Sequence, residues 1–392
     1  MSADANSAPA VLKSNALHAR VRAFALEQIA SAEYQDSNSD TFESLALDIA
    51  RFQFDMSPGF ARLTAQKSES LSKLEDLPIV PTDAFRHCRV AVHPAALDSA
   101  VFQTSGTTGN QTGKHAVRDL STKEELTLLQ ARTSLFSEYT RGIVVALAAP
   151  PQSPPISSLN HMMELFMRSF DGRALSPDPR GAPFDAHDSG RWLFDSHGVN
   201  VAALVRAARI AIHRSEPLFV LATSFALLAT LEEIDGQELR MPSRTIIMVT
   251  GGFKGKEHTV NEQGLRDAAA RTFQTTPDRI IGEYGMTELS SQLFEGKKRG
   301  HYLAPPWLRV TPVDPATYQP VPPGEAGLAH FIDLANVDSC LSIVTQDLIR
   351  ETMDGYELVG RAQHAPHRGC SLPYESFLTS SRRPTKSGSY IS

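Results

Sequence analysis

Residues 217–250, PLFVLATSFALLATLEEIDGQELRMPSRTIIMVT, contain the repeating unit on which this chain is built. An apolar run of strand length, PLFVLAT, is followed by a helical segment, SFALLATLEEI, and then by a second apolar run, RTIIMVT. Continuous apolar strands that alternate with helices are typical of a mostly parallel sheet with helices on its faces. The stretch therefore predicts an α/β fold.

The same alternation continues on both sides of this unit. GIVVALAAP (142–150) predicts a strand before it, and RIIGEYG (279–285) predicts one after it, with a helix from about 260 to 273 between. Nearer the N-terminus, Ser121 and Glu124 have the spacing of a capping box and predict that a helix starts there.

The two ends of the chain have sequence patterns that differ from this alternation. Apolar residues at helical spacing predict a helical region over residues 1–75, followed by the α/β core over 76–299. Proline-rich segments and the turn pair Asp354-Gly355 predict antiparallel strands within a smaller β-rich subdomain, 300–372. Residues 373–392 read as a polar tail.

Composition narrows the class of protein. The 392 residues carry a net charge of −6, which argues against binding to nucleic acid or to an anionic membrane. The longest apolar run, from Leu218, is too short to span a bilayer and contains Ser and Thr. Three cysteines are too few for a disulfide framework. We therefore expect a cytoplasmic protein with free thiols.

A loop rich in glycine and threonine lies within residues 101–119, VFQTSGTTGNQTGKHAVRD. It is not a Walker loop, because GNQTGKH (109–115) is one residue short and His115 replaces the hydroxyl that would bind magnesium. Backbone N–H groups in such a loop can nonetheless converge on an anion. An ordinary polar hairpin explains the same composition, so the loop alone does not define a site.

Further signals follow downstream. IIGEYGMTELSSQ (280–292) runs from a strand into a loop with Tyr284, which can stack on a base, and with Thr287 and Glu288, which can hold phosphate and Mg²⁺. Asp347 in IVTQDLI is expected at a strand end, where it could bind a ribose, and an arginine follows the next hairpin.

These motifs, in this order, carry a resemblance to a known superfamily. TSGTTG, YGMTE, TQD and GR resemble the signature of the adenylate-forming enzymes. PIVPTDAFR, GGFKGKE, DLANVDSC and GRAQHAPHRGCSL make the sequence more closely similar to the acyl-protein synthetases of the bacterial bioluminescence fatty-acid reductase complex. The resemblance covers about residues 77–372.

The resemblance implies a fold and an activity. The expected fold is the α/β core of adenylate-forming enzymes, with mostly parallel, helix-covered sheets and a smaller antiparallel β subdomain. A full C-terminal lid domain is not expected, because only 31 residues follow Arg361. The implied reaction uses ATP and Mg²⁺ to convert a carboxylic acid, expected to be a fatty acid, into acyl-AMP. The lid-domain lysine of that superfamily has no match, and Lys114, Lys254 and Lys386 are equivalent candidates to replace it.

The resemblance also assigns roles to residues. The β- and γ-phosphates would be held by Thr104, Ser105, Gly106, Thr107, Thr108 and Gly109. Thr287 would bind the α-phosphate and Glu288 the Mg²⁺ ion. The rest of the nucleotide site would comprise Gly251, Gly252, Tyr284 and Gly285 around adenine, and Asp347 with Arg361 at the ribose.

The acyl group would lie beside His161 and Met286. The helix that contains His161, SSLNHMMELFMRSF (157–170), has a methionine- and phenylalanine-rich face that suits either an acyl chain or the protein core.

Cys370 is the candidate acyl acceptor. Its neighbours His364, His367 and Arg368 favour the thiolate, which is the nucleophilic form of cysteine. The resemblance implies that Cys370 takes the acyl group as a thioester and passes it to a partner protein, an acyl reductase or a carrier. Three alternatives remain open: a CoA ligase that uses free CoA, a non-catalytic nucleotide-binding protein, and a metal site formed by the two histidines and Cys370.

Overall fold

The computed structural model describes residues 7–30, 40–57, 60, 71–104, 112–151, 156–173, 175, 188, 190–195, 198–251 and 262–362. The helices are α1 (Ser7–Ala30), α2 (Phe42–Met56), α3 (Ala84–His87), α4 (Leu120–Thr133), α5 (Ser158–Phe166), α6 (Val201–Arg214), α7 (Ser224–Ile234) and α8 (Glu262–Thr272). Helix α5 continues as a π-helical turn, Met167–Asp171, and short 3₁₀ turns cover Leu74–Asp76, Ala95–Leu97 and Pro277–Arg279.

The strands follow in chain order. They are β1 (Val80–Pro81), β2 (Ala100–Gln103), β3 (Lys114–Val117), β4 (Ile143–Leu147), β5 (Phe194–Asp195), β6 (Gly198–Val199), β7 (Leu218–Thr223), β8 (Thr245–Thr250), β9 (Ile280–Tyr284), β10 (Leu293–Glu295), β11 (His301–Leu303), β12 (Leu308–Val313), β13 (Ala326–Asp333), β14 (Ser342–Thr352) and β15 (Gly355–Arg361).

Eleven of these strands form one sheet within the described residues, in the order β12-β13-β14-β15-β11-β10-β9-β8-β7-β4, with β1 beside β14. Neighbouring strands among β4, β7, β8 and β9 pair in parallel. In the rest of the sheet order, which runs β9-β10-β11-β15-β14-β13-β12, each strand pairs antiparallel with the next. The predicted α/β fold and the predicted antiparallel strands after residue 300 are both confirmed. The glycine-rich loop belongs to a separate hairpin, β2–β3.

The parallel strands are apolar throughout because both of their faces are buried. Along β4, Ile143, Val145 and Leu147 face a core that includes α6, α7 and α8, whereas Val144 and Ala146 face a second core that includes α5. Successive side chains of a strand point to opposite faces, so both alternating sets must be apolar. The run GIVVALAAP therefore forms a strand that is buried on both faces, although β4 is the last strand in the sheet order.

The methionine- and phenylalanine-rich face of α5 belongs to the second core. Met162, Met163 and Phe166 are buried there, and the rings of Phe136 and Phe170 stack with their centroids 3.7 Å apart. This placement supports the core interpretation of that face.

The N-terminal helices cover the segment that follows β13. Leu17 and Val21 of α1 and Ile49 of α2 share a core with Leu334 and Val337. The helical N-terminal region therefore stabilises residues 334–341, which contact the candidate site described below.

Two local predictions were wrong. Helix α4 begins at Leu120 with Asp119 as its N-cap, because the Asp119 carboxylate accepts a hydrogen bond from the Ser121 amide at 2.9 Å. Ser121 thus lies in the first turn and does not cap it. Asp347 lies inside β14 and not at a strand end, because this strand continues to Thr352.

No helix in the described residues is long and apolar enough to cross a bilayer.

Candidate active site

The carboxyl ends of the parallel strands form one edge of the sheet. Strands β7, β8 and β9 end there at Thr223, Thr250 and Tyr284. Gly251 follows β8 with a φ of +71°, a conformation that glycine adopts without strain, and its carbonyl oxygen accepts a hydrogen bond from Ser224 Oγ. Ligands of open α/β sheets bind at this edge. Gly252 lies outside the described residues.

The base of the glycine-rich loop is closed by Thr104 and Gly113. The Thr104 amide donates to the Gly113 carbonyl at 2.9 Å, and the Gly113 amide donates to Thr104 Oγ1 at 2.8 Å. A Cβ atom at Gly113 would lie 3.1 Å from the Thr104 side chain, so the close approach favours glycine. The other candidate phosphate-binding residues, 105–109, are not among the described residues.

This loop base touches the acidic turn at residues 285–292. Thr287 Oγ1 donates to the Gln103 carbonyl at 3.4 Å. His115, one residue after Lys114 on β3, places its Nδ1 atom 2.6 Å from the Thr287 carbonyl oxygen. The two strands that flank the glycine-rich loop therefore contact the acidic turn, although they are far from it in the sequence.

Side chains from elsewhere hold the acidic turn, which is neither helix nor strand. Besides the contact from His115, the Lys123 ammonium of α4 donates to the carbonyl oxygens of Leu289 at 3.1 Å and Ser290 at 3.4 Å. These carbonyls have no partners in a regular ladder, so the buried side chains satisfy them instead.

Residues from the end of β13 complete this support. Asp333 accepts hydrogen bonds from the amides of Ser290 at 2.9 Å and Ser291 at 3.0 Å, and Asn336 Nδ2 donates to the Glu288 carbonyl at 3.0 Å. The Glu288 side chain is 1% exposed. We call the supporting set His115, Lys123, Asp333 and Asn336 the turn cage.

Burial sets the charge states within the turn cage. Desolvation lowers the pKa of His115 to about 4, so its imidazole is neutral at neutral pH. Desolvation lowers the pKa of Lys123 to about 8, although Asp333 and Glu283 nearby favour its charged form. The pKa of the Asp333 carboxyl is raised because it is fully buried.

Glu283, on β9 two residues before the acidic turn, is also buried. Desolvation raises the pKa of its carboxyl to about 7, whereas the hydrogen bond from Thr250 Oγ1 opposes this shift. A side chain at Gly285 would place its Cβ 2.6 Å from Glu283 Oε1, so glycine is required by this close approach.

The structure brings together three of the predicted nucleotide-binding residues. Tyr284 Oη donates to Asp347 Oδ2 at 2.9 Å, and Arg361 Nε lies 3.2 Å from Asp347 Oδ1. Asp347 and Arg361 are partners in the β14–β15 ladder. The Tyr284 ring is 8% exposed and stacks on Phe331 at a centroid distance of 6.0 Å.

The predicted acyl-pocket residues lie on two elements next to the loop base, helix α5 and the acidic turn. His161 at the start of α5 has its Nε2 atom 2.9 Å from Glu124 Oε1, and its ring lies 5.5 Å from that of Phe102 on β2. Met286, in the acidic turn, packs against the core that contains Tyr284. Their roles in substrate binding remain predictions.

Some predicted residues cannot be placed. Cys370 and the histidines near it lie outside the described residues, as do Lys254 and Lys386. Among the residues that are described, no group of three or more His, Cys, Asp or Glu side chains could hold a metal ion together. The donors of Thr287 and Glu288 are oxygen atoms, the type of ligand that Mg²⁺ prefers.

Sequence reasoning did not identify the turn cage. Lys123 lies in a helix of mixed polarity, where a lysine is ordinarily solvated. Asp333 and Asn336 do carry a signal, because they interrupt an apolar stretch, and buried polar residues need hydrogen-bond partners.

Comparisons with solved structures identify the fold. The fold matches 2-hydroxyisobutyryl-CoA ligase in complex with 2-HIB-AMP and CoA, with a TM-score of 0.56 and 14% identity over 86% of this chain and 81% of that one. The same ligase in its thioesterification state gives a TM-score of 0.55 at 14% identity over 91% and 68% of the two chains. The architecture is that of the adenylate-forming ligases.

Sequence comparisons specify the resemblance. Residues 209–379 match the family described as acyl-protein synthetase, LuxE. The chain is 26% identical over 146 residues to the long-chain-fatty-acid–luciferin-component ligase of Vibrio harveyi, and 29% identical over 154 residues to that of Aliivibrio fischeri. The matches cover 35% and 36% of this chain, and 38% and 40% of the relatives. The resemblance to acyl-protein synthetases is thus confirmed.

Proposed function

We propose that this protein activates a carboxylic acid with ATP, forming acyl-AMP and pyrophosphate. The observation that carries the proposal is the contact between the loop base and the acidic turn, made by Thr287 with Gln103 and by His115 with Thr287. The adenylate-forming ligase fold and the match to acyl-protein synthetases support it.

In the proposed reaction, a carboxylate oxygen of the acid attacks the α-phosphorus of ATP. The new P–O bond forms as the bond to the bridging oxygen breaks and pyrophosphate leaves. Catalysis of phosphoryl and nucleotidyl transfer depends mainly on positioning and on neutralising charge. The loop 104–109 would hold the β- and γ-phosphates, and Thr287 the α-phosphate. Bound magnesium supplies neutralising charge, and Glu288 would hold it.

The second step would transfer the acyl group to Cys370. Its thiolate attacks the acyl carbonyl, the bond to AMP breaks, and a thioester remains on the enzyme. A thiol of a partner protein, an acyl reductase or a carrier, would then take the group by thioester exchange. The name of the relatives, long-chain-fatty-acid–luciferin-component ligase, favours a fatty acid as the substrate.

Acid-dependent exchange of pyrophosphate into ATP, measured over a panel of carboxylic acids, tests the first step. We expect exchange to require the acid and Mg²⁺ and to be highest with an aliphatic acid. Absence of exchange with every acid would leave a nucleotide-binding protein without this activity.

Retention of labelled acyl groups tests the second step. Cys370→Ser should keep the exchange reaction but lose the labelled thioester, whereas Cys88→Ser is the matched control, because Cys88 is exposed in the folded protein. Transfer to free CoA at the wild-type rate by Cys370→Ser would instead indicate a CoA ligase.

A further inference from the structure

We propose that His115 is a positioning residue that fixes the acidic turn, and with it Thr287 and Glu288, relative to the β2–β3 hairpin. The inference rests on the proposed function for its catalytic consequence. It goes beyond that function because nothing in the motif signature involves His115.

His115 lies between the β2–β3 hairpin and the acidic turn and contacts both. It lies on β3, the strand that leaves the glycine-rich loop, and pairs in register with Phe102 on β2. Its ring is 2% exposed and packs edge-on against Phe85 at a centroid distance of 5.6 Å. The ring therefore has a fixed orientation between the loop hairpin and the acidic turn.

The two nitrogens of His115 have different tasks. Nδ1 faces the carbonyl oxygen of Thr287 at 2.6 Å, so it must carry the proton and donate. Nε2 lies 2.9 Å from Ser339 Oγ, so in the neutral ring it accepts a hydrogen bond from this hydroxyl. One imidazole thus joins β3, the acidic turn and the segment that follows β13.

The two hydrogen bonds of His115 require its neutral form, and the surroundings of the ring favour that form. Burial lowers the pKa of His115 to about 4, with Lys123 acting in the same direction, so the imidazole stays neutral throughout the neutral pH range. Asp119, Asp338 and His18 line the same small pocket as His115, and Ser339 and Thr287 contact the ring directly.

The expected effect of His115 on catalysis follows from its contact with Thr287, which is next to Glu288 in the sequence. The carbonyl that His115 holds belongs to the residue whose hydroxyl would bind the α-phosphate, and the next residue would hold Mg²⁺. Supporting residues around reactive groups typically change activity by about 10–100-fold when removed. Loss of the Nδ1 donor should therefore reduce the rate of adenylation more than it reduces the affinity for ATP.

Two substitutions by amide residues distinguish the contribution of Nδ1 from that of Nε2. His115→Asn puts an amide donor near the position of Nδ1, whereas His115→Gln puts it near that of Nε2. We expect His115→Asn to stay within about threefold of the wild-type exchange rate, and His115→Gln to lower kcat about 10–100-fold with KM for ATP within about threefold. Equal losses in the two variants would overturn the inference.

His330 provides the matched control. It is also buried, burial lowers its pKa to about 4, and its Nε2 lies 2.9 Å from a serine hydroxyl, that of Ser342. Within the described residues, His330 forms no hydrogen bond with the acidic turn, so His330→Gln should leave kcat within about twofold of wild type. A loss of kcat as large as that of His115→Gln would show that any buried histidine has this effect, and would overturn the inference.

Amide hydrogen exchange tests the positioning role of His115 without depending on the proposed adenylation activity. The amides of Leu289, Ser290 and Ser291 are hydrogen-bonded, so their exchange reports how firmly the turn is held. We expect these amides to exchange about tenfold faster in His115→Gln than in the wild type. In His330→Gln we expect their exchange rate to be unchanged. Unchanged protection in His115→Gln would overturn the inference, whether or not any acid supports the pyrophosphate exchange reaction.

Discussion

Tyr284 Oη donates a hydrogen bond to Asp347 Oδ2 across 2.9 Å and thereby joins the end of β9 to the middle of β14. Three strands, β10, β11 and β15, lie between these two in the sheet. In a flat sheet, four strand spacings would separate them by about 19 Å. The antiparallel part of the sheet must therefore curl strongly, and this curl brings two distant motifs into contact.

Tyr284→Phe tests the importance of that bond. The substitution keeps the ring against Phe331 and removes only the hydroxyl. We expect the free energy of unfolding to fall by about 1 kcal/mol and KM for ATP to rise about fivefold, since one net hydrogen bond has this value. Urea unfolding and the pyrophosphate exchange assay measure the two effects, and unchanged values in both would contradict the expectation.

Asp347→Asn removes the charge that faces Arg361. We expect KM for ATP to rise about 10–100-fold, because a charge-assisted pair is lost and the partly buried guanidinium of Arg361 loses its counter-ion. Glu357→Gln is the matched control, because Glu357 pairs with Arg350 on the same two strands at 3.1 Å. An equal rise in KM in both variants would argue against a specific role for Asp347.

Glu283 should make stability depend on pH. The pKa of its carboxyl is about 7 in the folded protein and 4.5 as the reference value, so between these values the folded state holds a proton that the unfolded state has lost. Raising the pH from 4.5 to 7 therefore lowers stability, by at most about 3 kcal/mol for this group.

Glu283→Gln resembles the protonated acid and cannot ionise. The difference in unfolding free energy between wild type and this variant should change by this amount in favour of the variant as the pH rises from 5 to 7.5. Urea unfolding at five pH values measures it. A difference that stays constant, or that changes in the opposite direction, would contradict a raised pKa for Glu283.

The thiols should differ in reactivity. Cys340 is 1% exposed and burial raises the pKa of its thiol to about 12, whereas Cys88 is exposed. In the folded protein at pH 8, we expect Cys340 to react with a disulfide reagent more than about 100-fold more slowly than Cys88, because only the accessible thiolate reacts. Mass spectrometry of labelled peptides measures this, and urea should abolish the difference.

The fold was predictable to the extent that periodicity specified it. The runs around Val145, Val220 and Ile247 have the continuous apolar character of strands buried on both faces, and each became a strand of the parallel part of the sheet. The start of α4 was not predictable in this way, since Asp119 and Ser121 are both good capping residues and only the end of β3 at Val117 decides between them.

The candidate site was predictable only in part. Tyr284, Asp347 and Arg361 were identified from their motifs, and the structure brings them together. The turn cage was missed because His115 and Lys123 resemble ordinary polar residues in a strand and a helix. Burial gives them their role, and burial depends on packing between segments far apart in the sequence.

The sequence by itself determined which segments become strands and helices, and the order of the motifs, because hydrophobic period and motif spacing are local properties. Only the tertiary structure decided that Thr287 touches Gln103, and that His115 is a neutral donor. Both facts arise only when distant segments pack together, because packing decides which groups touch and removes the His115 ring from water.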